Sequence, residues 1–178
     1  MLNPVKLGSR VLGPLVIALL LFVPKLALAQ ADKDLIAKGQ YIFALAGGCA
    51  CHTEPKKEYN TGARPFPIPF GTVYSTNITP DKETGLGPWS DQQIHDAMTK
   101  GIGRDGSRIL PVMPYEKYSG MAEEDLKALI AYLRTLKAVR KPTPALKTWA
   151  PFARTLGTPI YLKVFGRFNA APAQAPKA

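Results

Sequence analysis

Cysteine and histidine are each present only twice in 178 residues, and after Asp125 the chain holds no acidic residue. Two cysteines allow at most one disulfide. Here they are separated by a single residue, Cys49-Ala50-Cys51, and a bridge needs a Cβ geometry that neighbours this close rarely reach. So few Cys and His also leave little for a structural metal site, which wants four well-separated ligands. The longest uninterrupted apolar run, Val11 to Val23, has 13 residues, short of the ~20 that a spanning helix needs. No stretch alternates in the way of a half-buried strand, no repeat recurs, and no nucleic-acid motif is present. These absences argue against a β fold and against a nucleic-acid partner.

What is there begins with an export pattern. Lys6 and Arg10 precede the apolar run, and Ala27-Leu28-Ala29 follows it, which is the order of a charged region, a hydrophobic region and a small-residue cleavage site. Residues 1–29 are therefore expected to be a signal peptide, with cleavage after Ala29 or Ala31. Counted through Pro24 and Lys25 to Ala29, the stretch reaches 19 residues and reads as an N-terminal anchor instead. Either reading places the rest in an exported, periplasmic location, soluble or held peripherally or N-terminally at a membrane.

The remainder is long enough for one compact domain, expected over 32–139, and a tail over 140–178. Charge divides the same way. Residues 1–125 hold 13 basic and 13 acidic side chains, and residues 126–178 hold ten basic and none acidic, which is the whole net charge of +10. Such asymmetry suits an acidic partner or an anionic lipid surface.

Helical spacing of Leu35, Ile36, Ile42, Phe43 and Ala46 predicts a first helix from Ala31 to Ala46, capped by Asp32 or Asp34 and stopped by Gly47-Gly48. Residues 53–89 are rich in Pro, Gly, Asn and Thr, with proline at every second place from Pro65 to Pro69. That excludes helix and favours extended backbone, and a loop so long in a small domain is usually wrapped around something. Ser90 with Gln93 has the form of a capping box. It opens a second helix to Gly101, with Ile94, Ala97 and Met98 inside. The last helix is expected over Ala122 to Leu136, with Leu126, Leu129, Ile130, Leu133 and Leu136 on one face and Glu123, Glu124 and Asp125 in the first turn.

His52 directly follows Cys51, and two thiols beside an imidazole suggest a covalent cofactor. A haem iron takes axial ligands on both faces, and a His with a Met raises its potential into the range of electron transfer. His52 is the proximal candidate. His95 falls in the middle of an amphipathic helix and reads as a boundary residue. Among the methionines, Met1 is at the chain end, Met98 is on an inner helical stripe and Met121 is at a helix start. Met113 lies in a loop bracketed by Pro111 and Pro114, whose fixed φ would hold a sulfur in place; it is the candidate distal ligand.

The order of helix, Cys-Ala-Cys-His, proline-rich loop, Met-Pro-Tyr and C-terminal helix resembles the class I c-type cytochromes. The segments Gly71-Thr-Val-Tyr-Ser-Thr-Asn77-Ile-Thr-Pro80, Gly85-Leu-Gly-Pro-Trp-Ser90, Pro111-Val-Met-Pro-Tyr115 and Asp125-Leu-Lys-Ala-Leu-Ile-Ala-Tyr-Leu133 look like the cytochrome subunits of bacterial alcohol, gluconate and nicotinate dehydrogenases. The resemblance covers roughly residues 33 to 139. It implies an all-α fold of helices wrapped around one covalent haem c, with long Pro/Gly-rich loops. The first and last helices would cross near Gly39, with Tyr41 or Phe43 and Tyr132 at the contact. It further implies His52 and Met113 as axial ligands, a dehydrogenase subunit as electron donor, and an oxidase or quinone-linked acceptor. Such a chain moves electrons and performs no bond chemistry on a substrate.

The attachment site departs from that pattern, which has two residues between the cysteines. On a helical turn, positions i, i+3 and i+4 share a face, whereas i and i+2 differ by about 200°. Aligned backwards from His52, Cys51 takes the second-cysteine place and Gly48 falls where the first should be. Cys51 is then the expected thioether, and Cys49 joins it where the backbone is unwound, which Gly47-Gly48 permits. Arg64, Tyr74, Asn77 and Trp89 are candidate donors to haem propionates, or equally parts of the loop scaffold. The alternatives are a thiol redox protein using Cys49 and Cys51, or a metal-binding module using Cys49, Cys51, His52 and His95. In the tail, Lys147, Arg154, Lys163 and Arg167 alternate with Trp149, Phe152, Tyr161, Phe165 and Phe168, a mixture suited to an anionic membrane surface or a partner subunit.

Overall fold

The computed structural model of the chain describes residues 30, 32–48, 50–68, 71–149, 152, 156–158, 160 and 163. Residues 1–29, the expected signal peptide or anchor, Cys49 and much of the tail lie outside the described residues. The chain divides after Leu35 into two compact units, and apart from residues 32–35 the fold that follows belongs to the second, Ile36–Ala178. No described helix is long and apolar enough to cross a membrane.

Helix α1 runs over 32–45. Its inner stripe is narrower than the spacing suggested: Phe43 is buried and Ile42 half-buried, while Leu35 and Ala46 are exposed. The helix ends as its glycines dictate. Gly47 and Gly48 are both left-handed (φ 76 and 59), and the Gly48 N–H donates to the Phe43 carbonyl at 2.9 Å, so the last carbonyls find donors without a side chain in the way.

Helix α2 is Asp91–Lys100. Its capping box is formed in both directions, with Gln93 N–H donating to Ser90 Oγ at 3.1 Å and Ser90 N–H to Gln93 Oε1 at 2.9 Å. The expected inner residues Ile94, Ala97 and Met98 are buried. A short helix α3, Tyr115–Tyr118, follows the Met-Pro loop where the apolar spacing predicted none. Helix α4, Glu123–Thr135, buries Leu126, Leu129, Ile130 and Leu133, with Leu136 half-buried against them. At Gly39, α1 lies directly on α4: a Cβ there would sit 1.9 Å from the Ala128 carbonyl oxygen. One turn on, the Phe43 and Tyr132 rings meet at 5.2 Å between centroids. Tyr41 is 66% exposed, so Phe43 is the aromatic partner at this contact.

A small sheet corrects the expectation of no strands. Strands β1 (Pro65–Ile68), β2 (Gly71–Tyr74) and β3 (Lys147–Thr148) form an antiparallel sheet in the order β1-β2-β3. Proline fits β1 because β1 is an edge. The Ser75 N–H donates to Arg64 O at 3.0 Å. Counting by twos along the register Pro65↔Tyr74 to Ile68↔Gly71, Phe66 and Ile68 take the bonded positions, and Pro65 and Pro67 fall where no N–H is needed. The extended conformation of this stretch was legible; its pairing was not. Phe43, Ile78, Leu86, Ile94, Met98 and the α4 stripe make one core cluster, with Trp89, Met113 and Met121 packed on its margin.

Candidate haem site

Immediately after α1, Ala50–His52 form a single 3₁₀ turn. Cys51 is an exposed free thiol. His52 is half-buried, and its Nδ1 lies 2.7 Å from the Thr76 carbonyl oxygen. A carbonyl can only accept, so Nδ1 carries the proton and the Nε2 lone pair is left available for a metal. Burial holds the imidazole below its ordinary pKa, with the Thr76 carbonyl partly opposing, which keeps the ring in the neutral form that ligation requires. A proximal histidine needs this tautomer, and the residues present fit a haem in that respect.

The chain around Thr76 is held close by a glycine. Gly62 is left-handed (φ 74), its N–H donates to the His52 carbonyl at 2.8 Å, and a Cβ would come within 2.5 Å of the Thr76 carbonyl carbon. Thus one loop binds the backbone of His52 while packing on the residue that orients its ring. Arg64 Nη1 donates to the Ala50 carbonyl at 2.9 Å, at the start of the 3₁₀ turn, and its guanidinium lies over the Phe66 ring. Arg64 therefore ties β1 to that turn.

Met113 is reached through α2 and α3. Its N–H donates to the Leu110 carbonyl at 3.3 Å, and its own carbonyl accepts from Tyr115 N–H at 2.9 Å. Leu110 is buried and Tyr115 is 0% exposed. The Tyr115 ring is clamped under Gly101, the left-handed end of α2, where a Cβ would be 2.6 Å from the ring. Anchored on both flanks, Met113 is half-buried and packs on the core cluster that includes Phe43. Gly48 faces the same Phe43, 3.8 Å away from where its Cβ would be.

The other candidate donors separate. Asn77 is buried, its Nδ2 donating to Thr84 Oγ1 and to the Val139 carbonyl, its Oδ1 accepting from Thr79 N–H and Oγ1. With both ends of the amide engaged, Asn77 is scaffold. Trp89 packs half-buried on the core, its carbonyl accepting from Arg134. Tyr74 is half-buried in β2. His95 is a boundary residue as expected, with Nε2 at 3.3 Å from Glu123 and Nδ1 at 3.3 Å from Asp96. Among the described residues, no group of three His, Cys, Asp or Glu side chains is placed to hold a metal ion. Thr76, Gly62 and Tyr115 were missed as site residues. Thr76 acts through its carbonyl, which every residue has, so no side-chain signal marks it.

The sequence profile of the cytochrome c family matches residues 36–137. A component of the nicotinate dehydrogenase of Pseudomonas putida is 43% identical over 119 residues, 66% of this chain and 10% of that protein. The fructose dehydrogenase cytochrome subunit of Gluconobacter japonicus is 35% identical over 146 residues, 81% of this chain and 30% of its own length. The gluconate 2-dehydrogenase cytochrome c subunit of Pantoea cypripedii is 43% identical over 104 residues, 58% of this chain and 23% of that one. The chain thus spans less than a third of these relatives. Two of the three are named as cytochrome subunits of dehydrogenases. The profile match extends from α1 through α4 and takes in both the attachment turn and the Met113 loop: the chain belongs to the cytochrome c family.

Proposed function

We propose that this chain is a monohaem c-type cytochrome that accepts single electrons from a periplasmic or membrane-associated dehydrogenase subunit and passes them to an oxidase or quinone-linked acceptor. In this reading residues 1–29 direct export, 32–139 form the haem domain and 140–178 a docking tail. Cys51 carries a thioether, with a second at Cys49, and His52 and Met113 are the axial ligands. Bound haem supplies a one-electron iron couple. The protein's share is to hold His52 in the Nδ1-protonated tautomer through Thr76, to fix Met113 between Leu110 and Tyr115, and to keep the ligand loops from moving as charge changes. A His with a Met leaves no open position for substrate, which matches electron transfer and not catalysis.

The observation that carries the reading is the His52 Nδ1 contact with the Thr76 carbonyl, because a redox thiol protein has no need of an oriented imidazole. Protein matured in a cytochrome-competent host should keep one haem after denaturation, seen as an intact-mass increase. The pyridine haemochrome band should then report whether one or two thioethers form. Met113→Ala should lower the midpoint potential by on the order of 0.1 V, within the ~0.8 V range that axial ligands span. A colourless protein with a reversible Cys49–Cys51 disulfide would overturn the proposal in favour of thiol redox chemistry. An unchanged potential in Met113→Ala would remove Met113 as a ligand.

A further inference from the structure

Beyond the haem domain, Trp149, Leu156 and Ile160 are 77%, 62% and 64% exposed. Leu156 N–H donates to the Phe152 carbonyl at 2.9 Å, an i to i−4 bond that makes this stretch helical at that point. Residues four apart share a face, so Leu156 and Ile160, both exposed, stand in one row. Thr158 lies two residues from each, about 200° around the helix, and it is only 2% exposed. Among the described residues here, the small polar Thr158 is buried while the large apolar Phe152, Leu156 and Ile160 are exposed, the reverse of a helix in a globular core.

Charge narrows the occupant. The sequence from Leu126 onward has ten basic residues and no acidic one; Arg134, Lys137, Arg140 and Lys141 pair with acidic residues of the domain, and the exposed Lys147 and Lys163 bracket the apolar row. The base of the segment is fixed, because β3 pairs Lys147 with Thr72 and Thr148 with Gly71 in β2. An apolar row flanked by one sign of charge, with Trp149 at its start, has the composition of an interfacial helix. We propose a lipid-binding role in which Trp149, Leu156 and Ile160 enter the headgroup boundary of an anionic phospholipid surface, with Lys147 and Lys163 against the phosphates. This rests on the proposed role beside a membrane-associated dehydrogenase, but its test does not.

The full-length haem protein should sediment with vesicles of phosphatidylglycerol and phosphatidylcholine and not with phosphatidylcholine alone. Binding should be lost at ~1 M salt, where charges are screened beyond ~3 Å. The paired substitution Leu156→Ser with Ile160→Ser should weaken binding about tenfold or more, and Lys163→Glu about tenfold. These variants share residues 1–155 with the parent, so any contribution of the N-terminal segment cancels. Their haem spectra and reduction by dithionite should be unchanged, which separates failure of lipid binding from failure of the haem assignment. No sedimentation, equal binding to phosphatidylcholine, or binding indifferent to Leu156 and Ile160 would overturn the proposal. So would a concentration-dependent dimer abolished by the paired substitution without lipid binding, which would assign the row to a second copy of the chain.

Discussion

Gly39 shows how much one missing side chain can decide. Its Cα lies so close to α4 that a Cβ would fall 1.9 Å from the Ala128 carbonyl oxygen and 2.8 Å from Tyr132 Cβ. Neither obstacle is a flexible side-chain end, so the helices themselves must separate. That separation would also loosen the Phe43–Tyr132 contact and strain the ion pair between Lys38 Nζ and Asp125, now at 2.7 Å. Gly39→Ala gains slightly in helix propensity, up to ~1 kcal/mol. Forced repacking of a close-packed contact costs ~1–3 kcal/mol, and a backbone obstacle places this site at the upper end. A net loss of about 2 kcal/mol is expected, read as a lower urea midpoint at unchanged slope. A midpoint equal to or above that of the parent would show that the two helices are not in the contact described.

At the scale of elements, α2 carries the clearest local code, and its cap can be tested alone. Ser90 and Gln93 exchange side-chain and backbone bonds, so Ser90→Ala removes an acceptor for Gln93 N–H and should cost ~1 kcal/mol. Asp91 sits beside Arg134 of α4 at 2.8 Å. The effect should therefore be smaller in an Arg134→Ala background if the two contacts share the work of fixing the helix start; equal costs in a double-mutant cycle would show them independent. Periodicity alone located α1, α2 and α4 to within a residue or two, because each has an apolar stripe and a readable stop. The small sheet escaped because its edge strand is half proline, and proline argues against a strand unless its register is known. Helix α3 is too short to show a period. His52, Met113 and Cys51 stood out by residue type, whereas their supports did not. Thr76 contributes a carbonyl and Gly62 contributes an absence, and both become visible only once the chain is folded back on itself.

For the molecule as a whole, the charge imbalance of the sequence is partly resolved by where the chain goes after α4. Residues 137–141 lie across the loops that follow the attachment turn. Val139 exchanges bonds with Asn77 and Thr79, and Lys141 N–H donates to Thr84 Oγ1. Lys141 Nζ reaches Glu54 at 2.8 Å and Arg140 pairs with Glu83. Thr84 in turn donates to Asp81, whose Oδ1 accepts from Thr84 Oγ1 and Thr84 N–H at 2.7 Å and from Glu83 N–H at 3.1 Å. These partners hold both carboxyls below the usual carboxylate range, Asp81 chiefly through the Thr84 hydroxyl and Glu54 chiefly through Lys141. In the unfolded chain the two carboxyls bind protons near pH ~3.9 and ~4.3, and in the folded chain only at lower pH. The stability they contribute is thus fully present above those values and lost as pH falls through the depressed ones. The urea midpoint of the haem protein should be level from about pH 6 to 5 and then decline below ~4. Lys141→Ala should shrink the Glu54 share of that decline while leaving the Asp81 share, since Thr84 remains. Amide exchange should show the loss first in residues 81–87 and 137–141, ahead of α4. A decline that begins above pH ~5, or protection lost first in α4, would mean that another group governs acid stability and that residues 137–141 are not what gives way.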